Sequence, residues 1–259
     1  MIRSSNMRKI VLISFAIFSG IAAADQVKNQ AELALLPPYC RGTQQLREIS
    51  KDPKPIEEYL AIYGKPYSHL HHYCWALNAE NKAWRISDKF LRESKLDQAL
   101  GDIKYSLDRS GPDFVFLPEM YNSQARILFT LRRDPEAVVA LNKAIAAKPD
   151  YVPAYLRLSD YFVDKGDKAN AIKILEHGID NTEKADALIK KLAKLGKTYQ
   201  GVPGHARKKE TPPDSPSGEK PNDGANPAEN TPTDLPVAGL PDTRTEAEKN
   251  ANPYCRFCP

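Results

Sequence analysis

The sequence predicts an all-α protein. It reads as a helix–turn–helix solenoid of about three helix pairs plus a capping helix, with an irregular helical region before it and a disordered, Pro-rich tail after it. Three observations carry this reading. Two stretches, read from Pro118 and from Val152, superimpose with a period of 34 residues and no gap. Small residues recur at fixed points of that period, where paired helices must approach closely. Composition then shifts at Gly201, beyond which lie 11 of the 21 Pro and almost no large apolar side chains.

Residues 1–24 read as a signal peptide. Arg3, Arg8 and Lys9 form a basic n-region, an apolar run from Ile10 to Phe18 follows, and Ala22 and Ala24 fit an A-x-A cleavage site before Asp25. The apolar run falls short of the roughly 20 residues a membrane span needs. The mature protein is therefore expected to be periplasmic or secreted, with no transmembrane anchor after cleavage after Ala24. No Asn-x-Ser/Thr acceptor occurs, which leans towards a bacterial envelope. Losing three cations takes the formal charge from +4 to +1. That is too small for the basic footprint of a nucleic-acid binder, so no nucleic acid is expected as partner. At 41% hydrophobic and a mean hydropathy of −0.53, a polytopic membrane protein is excluded.

Residues 25–79 form the N-terminal helical extension. They hold Leu36-Pro37-Pro38-Tyr39-Cys40 and then His69-Leu70-His71-His72-Tyr73-Cys74-Trp75. Two readings stand side by side. Cys40 and Cys74 can form a disulfide, because paired thiols in an exported domain usually oxidise; the bond would staple the N-terminal segment to the first solenoid helix. Alternatively, His69, His71 or His72 can join the thiolates of Cys40 and Cys74 on zinc or copper, with His71 and Cys74 three apart on one helix face. No cofactor is expected.

Residues 80–197 are the repeat region. Tyr121 matches Tyr155, Leu128 matches Phe162, Ala137 matches Ala171, Leu141 matches Leu175, Ala144 matches Gly178 and Ile145 matches Ile179. A weaker unit precedes them, with Ala99, Ile103 and Leu107 standing for Ala137, Leu141 and Ile145, and Phe90 as its inner aromatic. Pro112 and Pro149 end helices for want of a backbone donor, each followed by an Asp expected to cap the next. Ala185–Leu195 is amphipathic at helical spacing and reads as the capping helix, with Gly196 at its C-cap.

These units resemble the tetratricopeptide repeat (TPR) family, in an exported bacterial form. One repeat carries Tyr121, Ala125, Ala137, Ala144 and Pro149 at the family's marked positions, and the next carries Tyr155, Ser159, Phe162, Gly166, Ala171 and Gly178. The resemblance implies a TPR-type solenoid whose first helices line a concave groove for a protein or peptide partner. By register the groove residues are Asn81, Trp84, Asp88 and Leu91, then Glu119, Asn122, Arg126 and Phe129, then Pro153, Leu156, Asp160 and Val163. Trp84, Asp88, Asn122, Arg126, Phe129 and Asp160 are the expected contacts. The set lacks the Lys, Arg and Asn grip of the family's carboxylate clamp. An internal segment or helix therefore fits better than a free C-terminus.

Residues 198–259 are the expected disordered tail. It ends in Asn252-Pro253-Tyr254-Cys255-Arg256-Phe257-Cys258-Pro259. Cys255 and Cys258 have C-x-x-C spacing but lack the helix N-terminus of redox motifs, and Pro259 stands where haem attachment needs His. A disulfide between them, or to another chain, is the expected state. No catalytic constellation occurs, so no enzymatic activity is expected. The function expected is an exported protein–protein interaction scaffold, binding a peptide or helix of a cell-envelope complex. The alternative is a periplasmic thiol-disulfide or metal-handling protein using Cys40, Cys74, the His69–His72 cluster and the Cys255/Cys258 pair.

Overall fold

The computed structural model describes residues 26–206. The expected signal peptide and the Cys255/Cys258 pair lie outside the described residues. Within them the chain is all-helical, with no strand.

Three short helices open the fold: α1 (Gln30–Ala34), α2 (Arg47–Ser50) and α3 (Ile56–Tyr63). Tight 3₁₀ turns at Pro38–Gly42 and Lys65–His69 punctuate this opening region. Three antiparallel pairs come next: α4 (Leu70–Ala83) with α5 (Lys89–Asp108), α6 (Leu117–Thr130) with α7 (Asp134–Ala147), and α8 (Val152–Asp164) with α9 (Lys168–Asn181). The last helix, α10 (Asp186–Lys194), packs on α8 and α9. This is a TPR-like helical solenoid. None of the described helices is long and apolar enough to cross a membrane.

The small residues of the repeat sit where helices touch. Ala99, Ala137, Ala144 and Ala171 are fully buried. At Gly178 an added Cβ would lie 2.7 Å from the Tyr155 ring and 3.0 Å from Leu188. Buried Leu141, Leu158, Phe162, Leu175 and Ile179 continue one apolar cluster from Tyr67 to Leu192. A second, smaller cluster joins Val27, Leu33, Leu36, Cys40 and Leu46 to Cys74 and Trp75 of α4.

The turns inside the second and third pairs share one device. After α8, the Gly166 N–H reaches the Val163 carbonyl at 2.9 Å and the Asp167 N–H reaches Phe162 at 2.8 Å, with Gly166 at φ +74°. These are the two bonds of a Schellman cap, and they recur after α10 around Gly196. One period earlier than Gly166, Arg132 takes the same left-handed conformation at φ +63° and closes the same pair of bonds. Side-chain caps come from Asp88, whose Oδ1 accepts the Leu91 N–H at 2.8 Å, and from Asp167, which accepts the Asn170 N–H at 3.0 Å. The Asp residues after Pro112 and Pro149 do not cap: α6 and α8 start at Leu117 and Val152, with Phe116 and Tyr151 at their N-cap positions.

The first pair departs from the expected register. Its second helix keeps it, since Ala99 and Ile103 are fully buried as Ala137 and Leu141 are. Its first helix is Leu70–Ala83, well before the segment the repeat spacing pointed to. The reason is the length of α5: it runs 20 residues against 14 for α7, and the extra turns lie at its start. Phe90 and Leu91 fall in those turns and are 77% and 58% exposed, so Phe90 is not an inner aromatic.

Candidate functional site

A cavity of about 570 Å³ opens between the first helices of the three pairs. Leu77, Glu80 and Asn81 of α4 line one side. Glu119, Asn122, Ser123 and Arg126 of α6 form the floor, and Tyr151, Pro153 and Arg157 stand at the start of α8 or on it. The fourth wall is Leu35, Pro37, Pro38 and Tyr39 from the N-terminal extension.

The floor is a hydrogen-bonded network of charged, amide and hydroxyl groups. The Arg126 guanidinium donates from Nε and Nη2 to the two carboxylate oxygens of Glu80, both at 2.5 Å. Burial alone would lower the Arg126 pKa, but the Glu80 charge and its hydrogen bonds outweigh that and hold it above the ordinary value. One turn away, Arg157 Nε donates to Asn122 Oδ1 at 2.9 Å in a buried contact. Tyr73 and Ser123 share a hydroxyl–hydroxyl bond of 2.8 Å. Burial and the neighbouring Glu119 push the Tyr73 phenol well above its usual pKa. Two Arg, two Glu and several amide or phenol groups therefore face the cavity with their charges balanced.

The N-terminal wall is tied down at Tyr39, at Cys40 and, further back, at Glu32. Cys40 and Cys74 form a disulfide with Cα atoms 5.8 Å apart. The Tyr39 phenol donates to Glu119 Oε1 at 2.6 Å, and its ring packs 4.5 Å from Phe116. Burial, reinforced by Tyr73 and Glu119, raises the Tyr39 pKa. The Tyr39 carbonyl accepts the Tyr67 hydroxyl at 2.6 Å. Further back, Glu32 of α1 accepts from Asn78 at 3.0 Å and pairs with Lys82 at 3.1 Å.

Of the six expected groove contacts, the structure brings Asn122 and Arg126 to the cavity. Trp84 and Asp88 do not line it: the longer α5 moves them off the first-helix face. Trp84 closes α4 half-buried, and Asp88 caps α5. Phe129 is buried against Tyr161, with ring centroids 5.3 Å apart, and Asp160 forms an ion pair with Lys191 of α10. Sequence spacing missed Leu77 and Glu80. Only the position of α4, three turns earlier, reveals them.

The metal set His69, His71 and Cys74 is not assembled. Cys74 is bonded to Cys40, the His71 Nδ1 meets the Ser68 carbonyl at 3.0 Å, and no group of three His, Cys, Asp or Glu fit for a metal occurs among the described residues. His72 lies beside His71, ring centroids 4.6 Å apart, and its Nδ1 meets Asp102 at 2.8 Å.

Stacked helix pairs around a lined cavity define a helical-repeat protein-interaction module. Residues 152–184, spanning α8 and α9, match the family described as Tetratricopeptide repeat, so the chain carries a repeat of that family there. The preceding pair α6–α7 follows the same pattern one period earlier. No curated protein and no solved structure matches the chain.

Proposed function

We propose that the protein is an exported, non-enzymatic scaffold that holds an extended internal segment of a cell-envelope partner in the α4–α6–α8 cavity. The observation that carries this is the charge-balanced floor. Arg126 is committed to both carboxylate oxygens of Glu80, so its guanidinium is not set to grip a terminal carboxylate, and Arg157 Nε is held by Asn122. What the cavity offers is apolar wall, amide groups and aromatic surface, which suits a neutral, extended chain. The fourth wall is compatible with a peptide occupant, because Leu35, Pro37, Pro38 and Tyr39 of the protein itself already lie along the site. Export rests on the basic, apolar and Ala22/Ala24 pattern of the first 24 residues.

The test is capture of envelope proteins by the mature chain. Asn81 lines the cavity, and Asn81→Trp should fill it and abolish capture of the partner identified by mass spectrometry. Phe90→Ser, on the exposed start of α5, should leave that capture unchanged. Undiminished capture by Asn81→Trp, with helicity intact, would remove the cavity as the binding site. Arg126→Ala is a poor probe, since it strands the buried Glu80 carboxylate, at a cost of about 3–5 kcal/mol.

A further inference from the structure

The chain contains the tetrapeptide Pro-Tyr-Cys-Arg twice, at 38–41 and at 253–256. Of the four Cys, only Cys40 and Cys255 have Pro-Tyr before them and Arg after them. The first copy sits in a built socket that reads three of its residues separately. Pro38 lines the cavity, the Tyr39 phenol is held by Glu119 at 2.6 Å, the Tyr39 carbonyl by the Tyr67 hydroxyl at 2.6 Å, and Cys40 by its bond to Cys74. Arg41 is exposed and takes no part in that reading.

We infer that Pro253-Tyr254-Cys255 of the same chain is a second ligand for this socket, exchanging with Pro38-Tyr39-Cys40 at Cys74. Tyr254 takes the Glu119 carboxylate, and Cys255 takes Cys74. The covalent step is thiol–disulfide exchange and starts from Cys255 and Cys258 in their dithiol form, which a small-molecule thiol such as glutathione supplies by reducing them. The Cys255 thiolate attacks Cys74 Sγ, the Cys40–Cys74 bond breaks, and Cys40 leaves as the thiolate. One disulfide is consumed and one is formed, so no outside oxidant enters the step. The 49 residues from Arg207 to Cys255 can span up to about 160 Å, so reach does not limit the encounter. Exchange lifts the N-terminal wall off the cavity and places Pro253-Tyr254-Cys255 there.

The two copies differ where the socket is tightest. Gly42 follows Arg41, and a Cβ at that position would lie 2.3 Å from the Tyr59 ring; the second copy has Phe257 there. The N-terminal copy is therefore the favoured occupant, and Phe257 sets how far the C-terminal copy lags behind it.

The experiment uses the full mature chain, reduced and re-oxidised in a glutathione redox buffer, with disulfides mapped on non-reduced peptides. Tyr39→Ala with Cys40→Ala vacates the socket. The expected product is a monomer in which Cys74 is joined to Cys255, in roughly tenfold excess over Cys258, the ratio one hydrogen bond to a charged acceptor would give. Tyr254→Ala in that background should bring the ratio to parity, and Phe257→Gly should raise it. Should the double variant not fold, the wild-type chain serves: thiols alkylated early in re-oxidation should show Cys74–Cys255 species that Tyr254→Ala removes. Cys74 left free, joined equally to Cys258, or joined only between chains would overturn the inference.

Discussion

At the scale of single residues, two glycines separate helix propensity from packing. Gly101 lies in the exposed interior of α5 with nothing within 4 Å of an added Cβ. Gly101→Ala should therefore raise stability by about 0.5–1 kcal/mol, the helix cost of glycine. Gly178 has the same propensity argument, yet its Cβ would press on Tyr155 and Leu188 at 2.7 and 3.0 Å. Overpacking costs about 1–3 kcal/mol, which exceeds the gain, so Gly178→Ala should destabilise. Urea titration of both variants checks the pair, and equal signs would contradict it. His71 supplies a pH dependence. Burial, with His72 beside it, pushes its pKa down to about 4 from the ordinary 6.5. Between those values the unfolded chain binds a proton that the folded chain does not, so stability is intact above pH 6.5 and falls as the pH drops towards 4. The loss should reach roughly 3 kcal/mol. His71→Gln should flatten the melting temperature across that range, and an unchanged slope would tell against His71 as the source.

At the scale of elements, the solenoid shows what a sequence pattern carries and what it does not. The α6–α9 units were legible because their small and apolar residues meet the same neighbours one period apart: Ala137 and Ala171 are both fully buried. The second helix of the first pair was legible for the same reason, through Ala99 and Ile103. Its first helix was not, because α5 is longer by nearly two turns and no local residue type announces a helix's length. Carrying a constant period across that extension put Trp84 and Asp88 in the groove and left out Leu77 and Glu80. The Glu80–Arg126 pair was illegible for a second reason: 46 residues separate its partners, and no spacing rule links them. Arg132 hid likewise, as a non-glycine residue in a position where the next repeat has Gly166. The capping helix was readable from its periodicity alone. Leu188 and Leu192 of α10 are fully buried on α8 and α9. Leu188→Ala should cost about 2–5 kcal/mol by opening a cavity at the end of the stack. Because each unit touches only its neighbours, hydrogen exchange should quicken in α8–α10 and stay slow in α4–α5. Uniform quickening would mean that the array unfolds as one unit.

At the scale of the whole molecule, two apolar clusters are joined through α4. The larger runs through the solenoid; the smaller holds Val27, Leu33, Leu36 and Leu46 against Trp75. The smaller cluster has few members, and a group of that size contributes little beyond the entropy of ordering it. Its attachment therefore depends on links to α4 and α6: Glu32 on Asn78 and Lys82, Tyr39 on Glu119, and the Cys40–Cys74 bond. The sequence separation across that bond is 34 residues, a loop whose closure is worth about 3–4 kcal/mol in the chain-entropy model. Breaking the bond raises the entropy of the detached segment without touching any solenoid contact, so the two clusters should part company. On reduction, amides over residues 27–50 should lose protection while those of α6–α9 keep theirs, and mild urea should then show two transitions in place of one. The cavity's fourth wall would leave with the segment, and a polarity-sensitive dye at its mouth should respond in the first transition. A single transition after reduction, with residues 27–50 protected to the end, would mean that the hydrogen bonds to Glu119, Asn78 and Lys82 suffice and that the disulfide only fastens a segment already held.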